Sequence, residues 1–401
     1  MRHLAFIPIL FALFIVAPLA AQDTPADTGW SVEQRCVGDP TPPPADWTYD
    51  GTILLTGYAG IHGVDAAWET PRVLTFLNED NLWGGALSPD GSWYASPRGY
   101  FTITESYNGI TEIHELRVFP VNGQRDTYFS IPYETEFYQY THGQVYWKDN
   151  SQFLYFDMMN PFTGVVQAWQ QPEYVWDAEP YTRQYFSPDW KRQVFYGYVE
   201  TATGSVWDWK INDLVNNEIL RTLNITSPVA WKPDSSGFGA VITDGADIPT
   251  YSLGLFDRDG VQGDVIVSAP DREFGLFAIG WSADSRYLAF IDFPFNYYMV
   301  EGKAYSFAYY DSGNTLYIAD MQEKNVIDTC LTVGEGIAWS PQYGVEQLAL
   351  MPPGEGLKDV LILDLDAGAL HPIAKQLVTY NRRIYQGRKS SYTSIIGWRT
   401  D

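Results

Sequence analysis

The sequence predicts an all-β chain: a β-propeller of seven four-stranded blades, closed by pairing of its N- and C-terminal strands. Three observations carry that prediction. Aromatic residues are abundant, with 15 Trp and 28 Tyr, and such a composition favours strands. A short pattern recurs along the chain: an apolar or aromatic residue, Ser or Lys, a turn rich in Pro and Asp, then an alternating run. The copies are strand-like and their period varies, which fits a propeller rather than a helical solenoid.

The copies are "ALSPDGSWYASP" at Ala86, "VYWKDNSQFLYFD" at Val145, "YFSPDWKRQVFYG" at Tyr185, "VAWKPDSSGFGAVI" at Val229, "IGWSADSRYLAFID" at Ile279 and "IAWSPQYGVEQLALM" at Ile337. A seventh, "IIGWRTD" at Ile395, reaches its Trp and stops. With Leu87, Trp147, Phe186, Trp231, Trp281, Trp339 and Trp398 aligned, the spacings are 60, 39, 45, 50, 58 and 59 residues. In the unit at Ile279, "LFAIGWS", "RYLAFID", "TLYIADM" and "NVIDTCLT" read as strands one to four. Ser282 and Asp284 then belong to a tight turn, where small polar residues bond their own backbone. Repetition in several units argues for turn building and against catalysis.

"LSPDG", "FSPD", "WKPD", "WSAD" and "WSPQ" resemble the W-S-P-D-G signature of TolB-type, WD-repeat-like propeller blades. The resemblance covers residues from about 50 to 401. It implies the fold, which also occurs in the non-catalytic propellers of prolyl oligopeptidases, and it leaves function open. "WKDN" at Trp147 lacks the Pro, and "WSPQ" lacks the Asp.

The ends of the chain decide the closure. "GTILLTGY", "GVDAAWE" and "RVLTFLN" look like strands two to four with no first strand before them, and "TSIIGWR" is a first strand with nothing after it. Together they make one composite blade and a total of seven; six or eight follow if a weak unit is miscounted. Residues 1–21, with Arg2 before an apolar run and small residues at its end, read as a signal peptide. A retained anchor is the alternative, but the run is short and Pro8 interrupts it. Residues 22–48 form an arm with a Pro-rich linker, and 49–401 the propeller. Cys36 and Cys330 are the two cysteines, and an exported chain pairs them. That bridge staples the arm, with a chain-entropy ceiling of about 5 to 6 kcal/mol.

A net charge of −24 disfavours nucleic acid and anionic lipid as partners. The expected protein is a secreted or extracytoplasmic monomer with no cofactor, no metal and no membrane insertion after cleavage. "DRDG" at Asp257 and "DLDAG" at Asp364 lack the further ligands of a calcium loop and read as hairpin turns. "VWDWK" at Val206 reads as a third strand. No G-x-S-x-G occurs, and His62, His114, His142 and His371 are isolated.

In a four-stranded blade the one-to-two and three-to-four turns share one face of the disc. Long insertions fall on the other, where binding usually resides. They are "RGYFTITESYNGITE" from Arg98, "IPYETEFYQYTHG" from Ile131, "QQPEYVWDAEPYTRQ" from Gln170, "FPFNYYMVEGKAYSFAYYDSGN" from Phe293 and "KQLVTYNRRIYQGRKSSY" from Lys375. Candidate contacts are Tyr133, Tyr138 and Tyr140, then Tyr298, Tyr309 and Tyr310, with Arg382 and Arg383 for a carboxylate. The function expected is non-catalytic recognition of a protein, peptide or glycan. Two alternatives stand beside it: the aromatics pack only on one another, or channel carboxylates make the chain a glycan-active hydrolase or lyase.

Overall fold

The computed structural model describes residues 29–57, 60–66, 72–76, 85–103, 110–122, 129–135, 145–155, 157–167, 184–201, 204–226, 229–243, 251–269, 280–292, 295–300, 303–308, 314–334, 336–353, 356–379 and 394–400. They form seven small antiparallel sheets in a ring, a seven-bladed propeller with no helix among the described residues. In chain order, β1 (Ser31–Gln34) precedes the ring, and β2 (Thr52–Gly57), β3 (Gly60–Val64) and β4 (Arg72–Phe76) belong to blade 1. Blade 2 is β5 (Ala86–Leu87), β6 (Trp93–Ile103), β7 (Ile110–Pro120) and β8 (Phe129–Thr135). Blade 3 is β9 (Tyr146–Asp149), β10 (Gln152–Tyr155), β11 (Asp157–Met159) and β12 (Val166–Gln167). Blade 4 is β13 (Gln184–Phe186), β14 (Arg192–Thr201), β15 (Gly204–Asp213) and β16 (Glu218–Leu223). Blade 5 is β17 (Ala230–Trp231), β18 (Gly237–Thr243), β19 (Tyr251–Asp257) and β20 (Gln262–Ala269). Blade 6 is β21 (Gly280–Trp281), β22 (Tyr287–Asp292), β25 (Asn314–Asp320) and β26 (Asn325–Val333), with β23 (Phe295–Val300) and β24 (Lys303–Ala308) as a separate hairpin. Blade 7 is β27 (Ala338–Trp339), β28 (Gln347–Leu350), β29 (Gly356–Asp364) and β30 (Ala369–Thr379), and β31 (Ser394–Arg399) is the first strand of blade 1.

The composite blade is as expected: β31 pairs antiparallel with β2, from Thr52 opposite Arg399 to Thr56 opposite Ser394. "VWDWK" lies in β15, a third strand. The arm adds something the sequence reading did not contain. β1 joins the outer edge of blade 6 as a fifth strand, parallel to β26, with Ser31 opposite Asn325 and Gln34 opposite Asp328. The Cys36–Cys330 disulfide locks it there, with Cα atoms 4.8 Å apart. Beyond it Thr41 N donates to Leu370 O of blade 7, and Trp47 Nε1 donates to Asp364 at 2.7 Å. The arm is thus a belt over blades 6 and 7 that feeds into blade 1.

Apolar side chains on facing sheets fuse the blades. Six clusters of buried residues span the interfaces 1/2, 2/3, 4/5, 5/6, 6/7 and 7/1. Among the described residues none spans blades 3 and 4. Four of the motif tryptophans add a hydrogen bond from their own blade to the one before. Trp147 Nε1 donates to Ala86 O, Trp231 to Tyr185 O, Trp281 to Ala230 O and Trp339 to Gly280 O, at 2.8 to 3.2 Å. Blade 4 has Phe186 at that position, and Trp190 from its turn does the job instead. Its ring stacks on Phe186 with centroids 4.4 Å apart, and its Nε1 donates to Trp147 O at 3.1 Å.

Several insertions expected as loops are strands. β6 and β7 pair without a break from Trp93 opposite Pro120 to Ile103 opposite Ile110, so the stretch from Arg98 is largely ladder. Ile131–Thr135 continues β8, Lys375–Thr379 continues β30, and part of the Phe293 insertion folds on itself as β23–β24. These stretches are rich in Tyr, Phe, Ile and Thr, whose branched and aromatic side chains suit a pleated ladder.

Candidate functional site

The two faces of the ring differ in what their residues are doing. On the turn face, each motif Ser and Asp is used by its own hairpin. Ser282 Oγ donates to Asp284 Oδ1 at 2.6 Å and accepts from Tyr287 N; Ser88 and Ser187 repeat this with Asp90 and Asp189, accepting from Trp93 N and Arg192 N. The residue after the Asp adopts positive φ: Gly91 at 68°, Trp190 at 55°, Ser235 at 60° and Ser285 at 61°. Burial alone would raise the Asp90 and Asp189 carboxyls. Donors from the Ser hydroxyls and the backbone outweigh it and hold both below the usual carboxylate range. They stay ionised at neutral pH and have no proton to give.

The acids at the ends of third strands are equally committed. Asp257 Oδ1 accepts from Asp259 N and Val261 N, and Asp364 Oδ1 from Ala367 N, which is turn chemistry. Asp213 and Asp320 cap their turns in the same way and also pair with an Arg at the start of strand two. Arg192 contacts Asp213 at 3.1 Å and Asp259 of blade 5 at 2.8 Å. Arg286 contacts Asp320 at 2.8 Å and Glu346 of blade 7 at 2.7 Å, and Tyr287 Oη donates to Glu346. Each Arg therefore ties its own blade to the next. Burial, with Asp366 adding to it, pushes the Glu346 carboxyl up against the pull of Tyr287 and Arg286. His371 is packed, 3% exposed, against Trp47, with Nδ1 3.0 Å from Thr41 O.

The opposite face is built from the far ends of the long strands. In blade 2, β5 reaches only Ala95 of β6, and β6 runs eight residues further, about 27 Å of strand. β14 and β15 continue past Phe195 to Thr201 opposite Gly204, and β29–β30 end with Gly356 opposite Thr379. With the β23–β24 hairpin, these ladders lengthen blades 2, 4, 6 and 7 away from the Ser–Asp turns.

Of the candidate contacts, Tyr133 lies in β8, opposite His114, and Tyr298 in β23, opposite Tyr305. Both were expected in loops and are on paired strands, in different sheets. Tyr138, Tyr140, Tyr309, Tyr310, Arg382 and Arg383 lie outside the described residues, as does most of the stretch from Gln170. Residues that sequence reasoning missed are the interblade arginines, Arg192 and Arg286. Their motif positions differ: Arg192 is the residue whose N–H reaches the motif Ser, a place Tyr287 takes in blade 6, and Arg286 stands one position earlier, so no shared spacing marked them.

No protein-family model matches this chain, and no curated protein matches it. Among solved structures it is similar to hydrazine synthase from Kuenenia stuttgartiensis, at 15% identity over 72% of this chain and 80% of that one, with a TM-score of 0.40. It is also similar to TolB from Acinetobacter baumannii, at 10% identity over 70% and 69%, with a TM-score of 0.32. A third is the β-propeller domain of the Trilobed protease from Pyrococcus furiosus, at 13% identity over 74% and 85%, with a TM-score of 0.40. The fold assignment rests on the seven sheets themselves.

Proposed function

We propose that this chain is an exported, non-catalytic binding or scaffold propeller of the TolB-type, WD-repeat-like kind. It recognises a protein, peptide or glycan through the face opposite the Ser–Asp turns. The observation that carries this reading is the division of labour between faces. The Ser, Asp and Arg side chains of the turn face are spent on their own hairpins and on neighbouring blades. The long ladders of blades 2, 4, 6 and 7 carry the Tyr-rich segments on a rigid base, where function concentrates. Tyr133 and Tyr298 sit on that base, and the Arg382–Arg383 pair supplies charge for a carboxylate partner. The Cys36–Cys330 bridge fits an oxidising compartment.

Glycan-array and peptide-array binding of the mature chain tests the reading, with Tyr133→Ala and Tyr298→Ala in one variant and Tyr309→Ala and Tyr310→Ala in another. The expected result is a signal that falls at least tenfold in one variant while the Ser282→Ala control retains it. A signal equal in all variants discards this face. N-terminal sequencing of the exported protein tests cleavage after residue 20 or 21.

A further inference from the structure

The interface between blades 3 and 4 is built from different chemistry than the other six. On the blade 5 side of blade 4, Val194, Trp209 and Ile211 join Phe238, Ala240 and Phe256 in one apolar cluster. Alternation along β14 and β15 turns Gln193, Phe195, Lys210 and Asn212 to the other side, toward blade 3. All four are enclosed: Gln193 is 1% exposed, Phe195 1%, Lys210 3% and Asn212 0%. Asn212 lies directly opposite Gln193, and Lys210 lies two positions along the same strand from Asn212, about 7 Å away.

Three of these side chains carry a buried polar atom that makes no hydrogen bond among the described residues, and two of them matter most here. Lys210 Nζ and both polar atoms of the Asn212 amide are buried with no hydrogen-bond partner among the described residues. A desolvated ammonium costs several kcal/mol unless something offsets its charge. Asp208, next on the same row, acts on Lys210 electrostatically, but its Oδ1 accepts from Trp209 N at 3.0 Å. Burial pulls Lys210 below the usual lysine range, and Asp208 opposes that shift. The ammonium brings three N–H donors and the Asn212 amide two, against the buried amide oxygens Asn212 Oδ1 and Gln193 Oε1, so donors outnumber acceptor groups.

We propose that Lys210 and Asn212 form a buried site for a small monovalent inorganic anion of chloride size, held in the seam between blades 3 and 4. Atoms that solvent does not reach leave no room for an organic carboxylate, so the ion is a small one. The ion neutralises the ammonium, accepts from Nζ and Nδ2, and so joins two blades whose described residues share no apolar cluster.

Two measurements on the full chain test this. The first is thermal unfolding in sodium chloride and in sodium gluconate at equal ionic strength. The midpoint is expected to rise with chloride by a few degrees and to follow a single-site saturation curve. In Lys210→Met that rise is expected to vanish. Equal midpoints in the two salts, or an undiminished rise in Lys210→Met, overturn the proposal. The second needs no variant: crystals of the wild-type chain soaked in bromide are expected to show an anomalous peak within hydrogen-bond reach of Lys210 Nζ. Density for water alone at that place overturns the proposal as well.

Discussion

Between blades 6 and 7, Ile291, Leu316 and Ile318 face Leu348, Leu350, Leu361 and Leu363, all 3% exposed or less. Arg286 and Tyr287 close the turn-face end of that seam with two contacts to Glu346, each 2.7 Å. Between blades 3 and 4 the described contacts include the Trp190 indole and the Tyr146–Phe186 ring pair at 5.1 Å, beside the buried polar row of Gln193, Lys210 and Asn212. Blade 3 is also the smallest sheet, with strands of four, four, three and two residues. The contrast teaches that a propeller needs matching shape at every seam but not matching chemistry. One seam is held by area removed from water, the other by directional contacts.

Deleting volume at the apolar seam should have the largest effect. Leu363→Ala is expected to cost about 2 to 5 kcal/mol in urea unfolding, because neighbouring strands cannot collapse into the gap. Lys210→Met in a chloride-free buffer is expected to cost nothing, or to stabilise by up to about 2 kcal/mol, since it removes a buried charge that Asp208 offsets only in part. If the two variants lose equal stability, the comparison fails.

The Arg286 bridge sharpens it at the next level. Arg286→Ala leaves Asp320 and Glu346 facing one another without their cation, and about 1 to 2 kcal/mol is expected, discounted because the guanidinium is 31% exposed. Acid probes the same contacts. Burial would raise Asp213 and Asp320, but Arg192 and Arg286 with backbone donors win, and both carboxyls lie below the ordinary value. Their contribution is present above about pH 4 and is lost as the pH falls through their folded values. Glu346, shifted up, works the other way and blunts the loss at blade 6/7. Unfolding free energy measured from pH 5 to 2 should therefore fall in the wild type and fall less steeply in Arg192→Ala, which frees Asp213. The smallest effect belongs to a single turn: Ser282→Ala removes the acceptor of Tyr287 N and the donor to Asp284, for about 1 kcal/mol.

What the sequence made legible was whatever repeats or stays local. The Ser282–Asp284 turn, the third strand around Trp207, the hairpins at Asp257 and Asp364, and the β31–β2 closure all show in short windows or in the two ends taken together. β1 did not show, because "SVEQ" is exposed throughout and has no buried face to impose alternation. Lys210 did not show either. In "VWDWKIND" polar and apolar residues alternate as in a strand with one wet face, and the burial of that face comes from tertiary packing that a short window does not show. The candidate contacts were the least legible. Tyr-rich stretches read as loops because they interrupt the blade pattern, yet Tyr133 and Tyr298 stand on ladders, where aromatic residues also belong.

The closure of blade 1 sets an order of assembly. Residues 52–76 leave the ribosome among the first of the ring, and their partner strand, Ser394–Arg399, comes more than three hundred residues later. Throughout that interval Thr52–Gly57 carries a row of unpaired backbone donors and acceptors on its inner edge. A nascent chain in this state is open to pairing with the wrong strand, including the same strand of a second copy, so the arrival of Ser394–Arg399 is the step that closes the ring.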